Sequence, residues 1–292
     1  MTLLLSSYNK AGRNGGRPLS VRQGRGALMN ARKTSSSTPT AKPPTRERAV
    51  PAVTRAAAIL RILARSESPL GVQAIARELK LVPSTCLHIL RALVAEELVA
   101  FDPDTKRYRL DVGILSLARH LLKKGGFADY IQDRLQDLSQ RLGVTAVGLE
   151  VRGLDHVVVV SISRAREPFH IHVDVGSRFP SLISASGRCI AAFGGYDEAE
   201  LRERFSRLRW DRPPSFEQWR QEVEDARANG FGVDIDQYIL GVTVISAPIF
   251  LGGRLSHALV VVGLTERLRS NVRSIGQDIV RIANEISHQM NT

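Results

Sequence analysis

Residues 72–95 read Val72-Gln73-Ala74-Ile75-Ala76-Arg77-Glu78-Leu79-Lys80-Leu81-Val82-Pro83-Ser84-Thr85-Cys86-Leu87-His88-Ile89-Leu90-Arg91-Ala92-Leu93-Val94-Ala95. The spacing of Ile75, Ala76 and Leu79 predicts a short helix from Val72 to Leu79 with one apolar face. Lys80-Leu81-Val82 predicts a tight turn. Pro83 then opens a second helix, because proline suits a first helical position whose N–H has no partner anyway. In that helix Leu87, Leu90 and Val94 are expected to form the buried stripe. Ser84, His88 and Arg91 stand four and three residues apart and share the opposite face. A short helix, a turn and a helix with polar outward residues form a helix-turn-helix.

The flanks extend the pattern. Upstream, Val53, Ala56, Ala57, Leu60 and Leu63 mark one face of a preceding helix, which breaks at Ser66-Glu67-Ser68-Pro69. Downstream, Leu98–Phe101 and Lys106–Leu110 are β-prone runs around Asp102-Pro103-Asp104-Thr105, which predicts a hairpin. A hairpin directly after the helix pair is a wing, and Lys106, Arg107 and Arg109 on its second strand suit phosphates or the minor groove. The alternative is a small helical interaction domain with a solvated basic hairpin. Cys86 reads as a small buried side chain.

Ala52-Val53-Thr54-Arg55-Ala56, Ile75-Ala76-Arg77-Glu78-Leu79, Ser84-Thr85 and Tyr108-Arg109-Leu110-Asp111-Val112-Gly113 resemble the IclR family of bacterial transcription regulators. The resemblance runs from about residue 50 to the C-terminus. It implies DNA binding, with Arg55, Ser84, Thr85, His88, Arg91, Lys106 and Arg107 as the DNA-contacting set. The family usually places a basic residue just before the Ser-Thr pair and an Arg three after the Thr; this chain has Pro83 and His88 there.

Beyond Gly113 the pattern changes. Ile114–Lys124 predicts a linking helix ending at Gly125-Gly126, and Ile131, Leu135, Leu138 and Leu142 predict a second helix. Strands are expected at Thr145–Arg152, Val157–Ser163, Phe169–Val175, Gly241–Leu251 and Leu255–Gly263. Helices are expected at Glu198–Leu208, at Phe216–Ala228 with a stop at Asn229-Gly230, and along Val272, Ile275, Ile279, Ile282 and Ile286. One antiparallel sheet carrying helices is an α+β sensor fold. The resemblance implies a GAF-like effector domain, so the whole chain is expected to be an N-terminal winged helix-turn-helix joined by a linker helix to a GAF-like α+β domain. The expected divisions are a basic tail 1–52, a winged helix 53–112, a linker helix 113–126 and an effector domain 127–292.

Val175–Arg188 looks like the family's effector loop, with Gly187-Arg188 in place of the usual Gly-Lys. Ala185 and Ser186 are small enough to let backbone N–H groups reach a carboxylate, and a helix starting near Gly187 adds a favourable dipole. The resemblance adds Gly187, Asp234, Val242, Val244, Val260 and Val262 to the effector set. Relatives that bind small hydrophilic acids often carry Cys or Ser where this chain has valines. Core packing for the valines and a turn cap for Asp234 are the alternative. His170, His172 and Asp174 alternate with apolar residues and would share one strand face, a metal-ligand set in principle. The solvated face of a half-buried strand is the preferred reading, so no metal and no cofactor are expected.

The chain has 292 residues, 43% of them hydrophobic, enough to bury a core in up to two domains. Its formal net charge is +12, and residues 1–52 hold ten basic groups against the single acid Glu47. That segment is rich in Gly, Ser, Thr and Pro and reads as disordered. It is either a basic arm for nucleic acid or a solvated tail, the latter including upstream codons if Met29 is the true start. Two cysteines exclude a disulfide framework, and no apolar run approaches the roughly 18 residues of a membrane span. The expected setting is cytoplasmic. The expected partners are double-stranded DNA with a palindromic operator, a small aromatic or medium-chain carboxylate effector, and a second copy of the chain as a dimer or dimer of dimers. The enzyme alternative is a hydrolase or metal-dependent enzyme using Ser186 or the His170/His172/Asp174 face; Ile183-Ser184-Ala185-Ser186-Gly187 misses the first Gly of a nucleophile elbow.

Overall fold

The computed structural model describes Leu3–Leu4 and residues 50–123, 126–165 and 171–291. The disordered reading of the basic tail and the position of Met29 therefore lie outside the described residues, apart from Leu3–Leu4, which pairs in parallel with Ile171–His172. The chain divides into two compact units that part between Lys124 and Gly125.

The N-terminal unit runs α1 (Pro51–Arg65), α2 (Val72–Leu79), α3 (Pro83–Ala95), β1 (Val99–Asp102), β2 (Arg107–Leu110) and α4 (Gly113–Lys123). Its core gathers Ile59, Leu63, Ile75, Ala76, Cys86, Leu90, Leu93, Val99 and Tyr108. Each fully buried Ile or Leu contributes about 1.5–3 kcal/mol. Lys80 takes the left-handed conformation at φ 55° that ends α2 and turns the chain into α3.

Three expectations are corrected here. The buried seam of α3 is Cys86, Leu90 and Leu93, while Leu87 and Val94 are only half-buried. The small Cys86 lets α3 lie close to its neighbours, and the helix is rotated by about one position from the leucine-centred reading. In α1 the buried residues are Ile59, Ile62 and Leu63, whereas Val53 is 66% exposed; the bulkier side chains bury more area than the alanines and select the face. Lys106 sits in the wing turn at φ 54°, not on the second strand. Asp102 builds that turn by accepting from the N–H groups of Asp104 and Thr105 and from the Thr105 hydroxyl at 2.6 Å. These bonds hold its carboxyl below the usual range. Leu70 and Tyr108 exchange backbone bonds of 2.9 and 2.8 Å, an isolated antiparallel bridge beside the two-stranded wing that the sequence did not reveal.

The C-terminal unit contains α5 (Phe127–Leu142), β3 (Thr145–Arg152), β4 (His156–Arg164), β5 (Arg178–Pro180), α6 (Ser184–Phe193), α7 (Glu198–Phe205), α8 (Phe216–Asn229), β6 (Gly232–Ile235), β7 (Val242–Leu251), β8 (Arg254–Leu264), α9 (Thr265–Leu268) and α10 (Val272–Met290). Six strands form one antiparallel sheet in the order β5-β4-β3-β8-β7-β6. Alternation along the strands sends Ala146, Ile245, Ala247, Ile249, Leu259 and Val261 to one face, where α5 and α10 cover them. Val147, Leu149, Val244, Ala258 and Val260 face the other way, onto α6 and α8. The result is an α+β unit of helices on both sides of a curved sheet.

The strand expected at Phe169–Val175 is corrected. Among the described residues of that run Ile171–His172 alone pairs, outside the six-stranded sheet, and Arg178–Pro180 supplies the edge instead. The strand ends before Asp174, so Asp174 does not continue it, and His170 lies outside the described residues. Gly176, at φ 88°, turns the chain between the two short strands. β6 was not anticipated, since four residues are too few to show a period.

Candidate functional site

The surface of α3 carries one candidate site. Ser84, His88 and Arg91 are exposed on it and Thr85 is half-buried, so they stand opposite the Cys86–Leu90–Leu93 seam. Arg55 is exposed on the second turn of α1. Lys106 and Arg107 are exposed on the wing, and Arg107 donates to the Pro69 carbonyl at 3.1 Å, which ties its guanidinium to the segment before α2.

The second candidate site lies where α6 meets the sheet. Strand register brings the expected residues into adjacent cross-strand rows: Asp234, Val244 and Val262 in one, Gly232, Ser246 and Val260 in the next. Val242, Val244 and Val260 are buried in the same apolar cluster as Leu182 and Ala185, and Val262 packs against it. Gly232 lets this strand approach α6: a Cβ there would stand 2.4 Å from the Ala185 carbonyl oxygen.

Helix α6 begins at Ser184, three residues earlier than expected. Gly187 is therefore inside the helix, packed so closely on the loop that a Cβ would meet the Leu182 carbonyl at 2.1 Å. No side chain caps the helix start at Ile183. The first N–H groups of a helix have no intrahelical acceptor, and here they belong to Ser184, Ala185 and Ser186, all buried. Ser184 adopts φ 57°, a left-handed conformation that costs a non-glycine residue of order 1–3 kcal/mol and concentrates at functional sites. Its buried hydroxyl has no hydrogen-bond partner. The Ser186 hydroxyl donates back to the Ile183 carbonyl at 3.3 Å.

A buried ionic cluster supports this turn. The Arg188 side chain is fully buried. It donates to the Ser184 carbonyl at 2.6 Å, twice to Glu222 Oε2 at 2.9 and 2.5 Å, and to Gln237. It also faces Asp234 Oδ2 at 3.5 Å, and its guanidinium lies over the Trp210 ring. Asp234 does cap a turn, accepting from the N–H groups of Gln237 and Tyr238 at 3.2 and 3.3 Å. Burial pushes the Asp234 carboxyl up, opposed by Arg188. Arg188, Glu222, Gln237 and Trp210 were missed as a set. The available signal was the lone charge of Arg188 in the otherwise small and apolar run Ser184–Phe193, since a buried charge needs partners. Cys189, next along the helix, bonds the Ser246 carbonyl, and burial pushes its thiol up to about 12.

Among the described residues no three His, Cys, Asp or Glu side chains gather to hold a metal ion. His170 and the side chain of His172 lie outside the described residues. Asp174 pairs with Arg164 at 3.0 Å. Among the described residues no helix is long and apolar enough to cross a membrane.

Two family patterns match this chain: the IclR helix-turn-helix domain over residues 52–103 and the bacterial transcriptional regulator IclR C-terminal domain over residues 120–288. The chain belongs to the IclR family. It is 30% identical to the glycerol operon regulatory protein of Streptomyces griseus over 76% of this chain and 87% of that one. It is 25% identical to the HTH-type transcriptional regulator BhcR of Paracoccus denitrificans over 82% and 87% of the two chains. In fold it is similar to the IclR transcriptional regulator from Alicyclobacillus acidocaldarius, with a TM-score of 0.70 and 24% identity over 83% of this chain and 99% of that one. As an IclR-type protein it is a DNA-binding regulator of transcription and not an enzyme, so the hydrolase and metalloenzyme alternative is set aside.

Proposed function

We propose that this IclR-type regulator binds a palindromic operator as a dimer or dimer of dimers, and that a small organic acid at the start of α6 controls it. Ser84, Thr85, His88 and Arg91 of α3 read the major groove, and Arg55, Lys106 and Arg107 hold the flanking phosphates. The effector is an aromatic or medium-chain monocarboxylate. Its carboxylate accepts from the first-turn N–H groups of α6, and its body lies against Val242, Val244, Val260 and Val262. A hydroxyl or other donor on it reaches Asp234.

The observation that carries this reading is the uncapped, buried start of α6, with Ser184 strained and its hydroxyl unpartnered beside a wall of valines. Such a turn favours an anion through its free N–H groups and dipole. The wall favours an apolar body, at about 25 cal/mol for each Å² removed from water, and gives no polar partner to the atoms of a glyoxylate-sized acid.

Calorimetry with benzoate, 4-hydroxybenzoate, octanoate, pyruvate, glyoxylate and glycerol tests it; glycerol is included because the Streptomyces relative is named for a glycerol operon. Saturable binding of one of the first three, abolished by Ser186→Trp while DNA binding persists, is the expected result. Tight binding of only the small acids or of glycerol overturns the effector class.

A further inference from the structure

Ser184 is the hinge of the site just described, and its conformation needs a restraint. A non-glycine residue at φ 57° relaxes unless its surroundings over-determine it. Its hydroxyl supplies no restraint, having no partner. Its carbonyl does: Arg188, one turn along α6, donates to it through Nη1 at 2.6 Å.

That guanidinium is itself immobilised from three other elements. Glu222 on α8 takes Nε and Nη2, Asp234 on β6 faces Nη1, and Gln237 in the turn after β6 takes Nη2. Gln237 is fixed in turn, its amide donating to Glu222 Oε1 at 2.7 Å. The Trp210 ring covers the guanidinium face at 5.6 Å. Five donors in a rigid fork suit arginine to this task. Among the described residues Arg188 is the lone Lys or Arg in the buried class, and two carboxylates offset its charge.

We propose that Arg188 is the positioning residue of the effector site: by gripping the Ser184 carbonyl while anchored to Glu222, Asp234 and Gln237, it holds the first-turn N–H groups of α6 where an effector carboxylate is received. Arg188 does not touch the effector. Its charge is already offset, so the site offers one anion-binding turn and no free cation from Arg188 for a second acidic group. This assignment rests on the effector reading above.

The test uses the full-length protein, with Arg188→Met and the cation-preserving Arg188→Lys. Two readouts separate the claims. In the first, amide hydrogen exchange is compared without ligand. Arg188→Met is expected to speed exchange at residues 187–189, the first amides of α6 bonded to the preceding turn, at least about tenfold, the worth of one charge-assisted hydrogen bond, while amides of α10 stay as in the wild type. Arg188→Lys is expected to restore most of the protection. Unchanged exchange at 187–189 in a folded Arg188→Met protein overturns the proposal. So does acceleration spread evenly through the unit. If Arg188→Met does not fold, Glu222→Gln, which loosens the clamp at its half-exposed end, is expected to speed exchange at the same residues, and no change there overturns the proposal.

The second readout is calorimetry with benzoate and octanoate. Arg188→Met is expected to weaken whichever probe the wild type binds by at least about tenfold, with Arg188→Lys losing less. Equal affinity of Arg188→Met and wild type overturns the positioning role. If the wild type binds neither probe, 4-hydroxybenzoate replaces them; if it binds none of the three, the effector reading fails by itself, and the exchange result still judges the clamp.

Discussion

Gly232 shows how one missing methyl positions a site. Its Cα lies so near α6 that a Cβ would approach the Ala185 carbonyl oxygen to 2.4 Å and both Arg188 Cβ and Cys189 Sγ to 3.2 Å. The first of these is backbone, which cannot swing aside. Gly232→Ala is therefore expected to destabilise the protein by about 1–3 kcal/mol, as overpacking does, and to displace the turn proposed to receive the effector. Urea denaturation checks the first part and the probe panel the second; a wild-type midpoint would refute the packing argument. His257 carries a prediction of another kind. Its ring stacks on Phe127 at 3.8 Å, and burial, aided by Arg152, lowers its pKa to about 4. The unfolded chain takes up a proton near pH 6.5 while the folded protein resists until about pH 4. Stability linked to this ring is thus full above 6.5 and declines as pH falls toward 4, by at most about 1.4 kcal/mol per pH unit, and less because the ring is partly open to water. Urea midpoints at pH 7, 5.5 and 4.5 should fall less steeply for His257→Gln than for the wild type. Parallel curves would show that another group governs acid lability.

At the scale of the element, the proposed DNA contacts divide between α3 and the wing. Arg91 is exposed on the face of α3 opposite Cys86, Leu90 and Leu93. Arg91→Ala should weaken operator binding by about 1–3 kcal/mol if it makes a bidentate base contact, and relax sequence preference at one position. Lys106 stands at the tip of the wing in a turn that Asp102 builds. Lys106→Ala should weaken binding to all sequences alike and lower the salt slope by about one ion. Anisotropy titrations against specific and scrambled duplexes at several salt concentrations separate the two outcomes; equal loss on both duplexes for Arg91→Ala would remove it from base readout. Arg107 is a poorer probe, since its bond to the Pro69 carbonyl makes it structural as well.

For the whole molecule the uneven charge matters most. The tail holds ten basic groups and one acid out of a net +12 for the chain. Each tail cation seated on a phosphate adds about 0.9 to the slope of log K against log salt on B-DNA. Deleting residues 1–48 is expected to flatten that slope and reduce non-specific affinity. The melting temperature should hardly move, because among the described residues the apolar clusters of both units lie beyond residue 48 and the deletion removes only the two-residue pairing of Leu3–Leu4 with Ile171–His172. An unchanged slope would make the tail a bystander.

The sequence alone determined the element types and the helix-turn-helix, because helix period, the proline at position 83 and the Asp-rich hairpin turn act over a few residues. It also marked Asp234, Val242, Val244, Val260 and Val262 through a family likeness. It misjudged which face of α1 and α3 is buried, since several apolar stripes fit one helix and neighbouring elements choose among them. It misplaced the edge strand, because alternation at residues 169–175 does not reveal whether the sheet has room for it. The Arg188 cluster was beyond its reach: Glu222, Asp234 and Gln237 follow Arg188 by 34, 46 and 49 residues. Only the assembled sheet, with α6 and α8 packed on one face, brings those charges together, and only their meeting makes burial of a guanidinium tolerable.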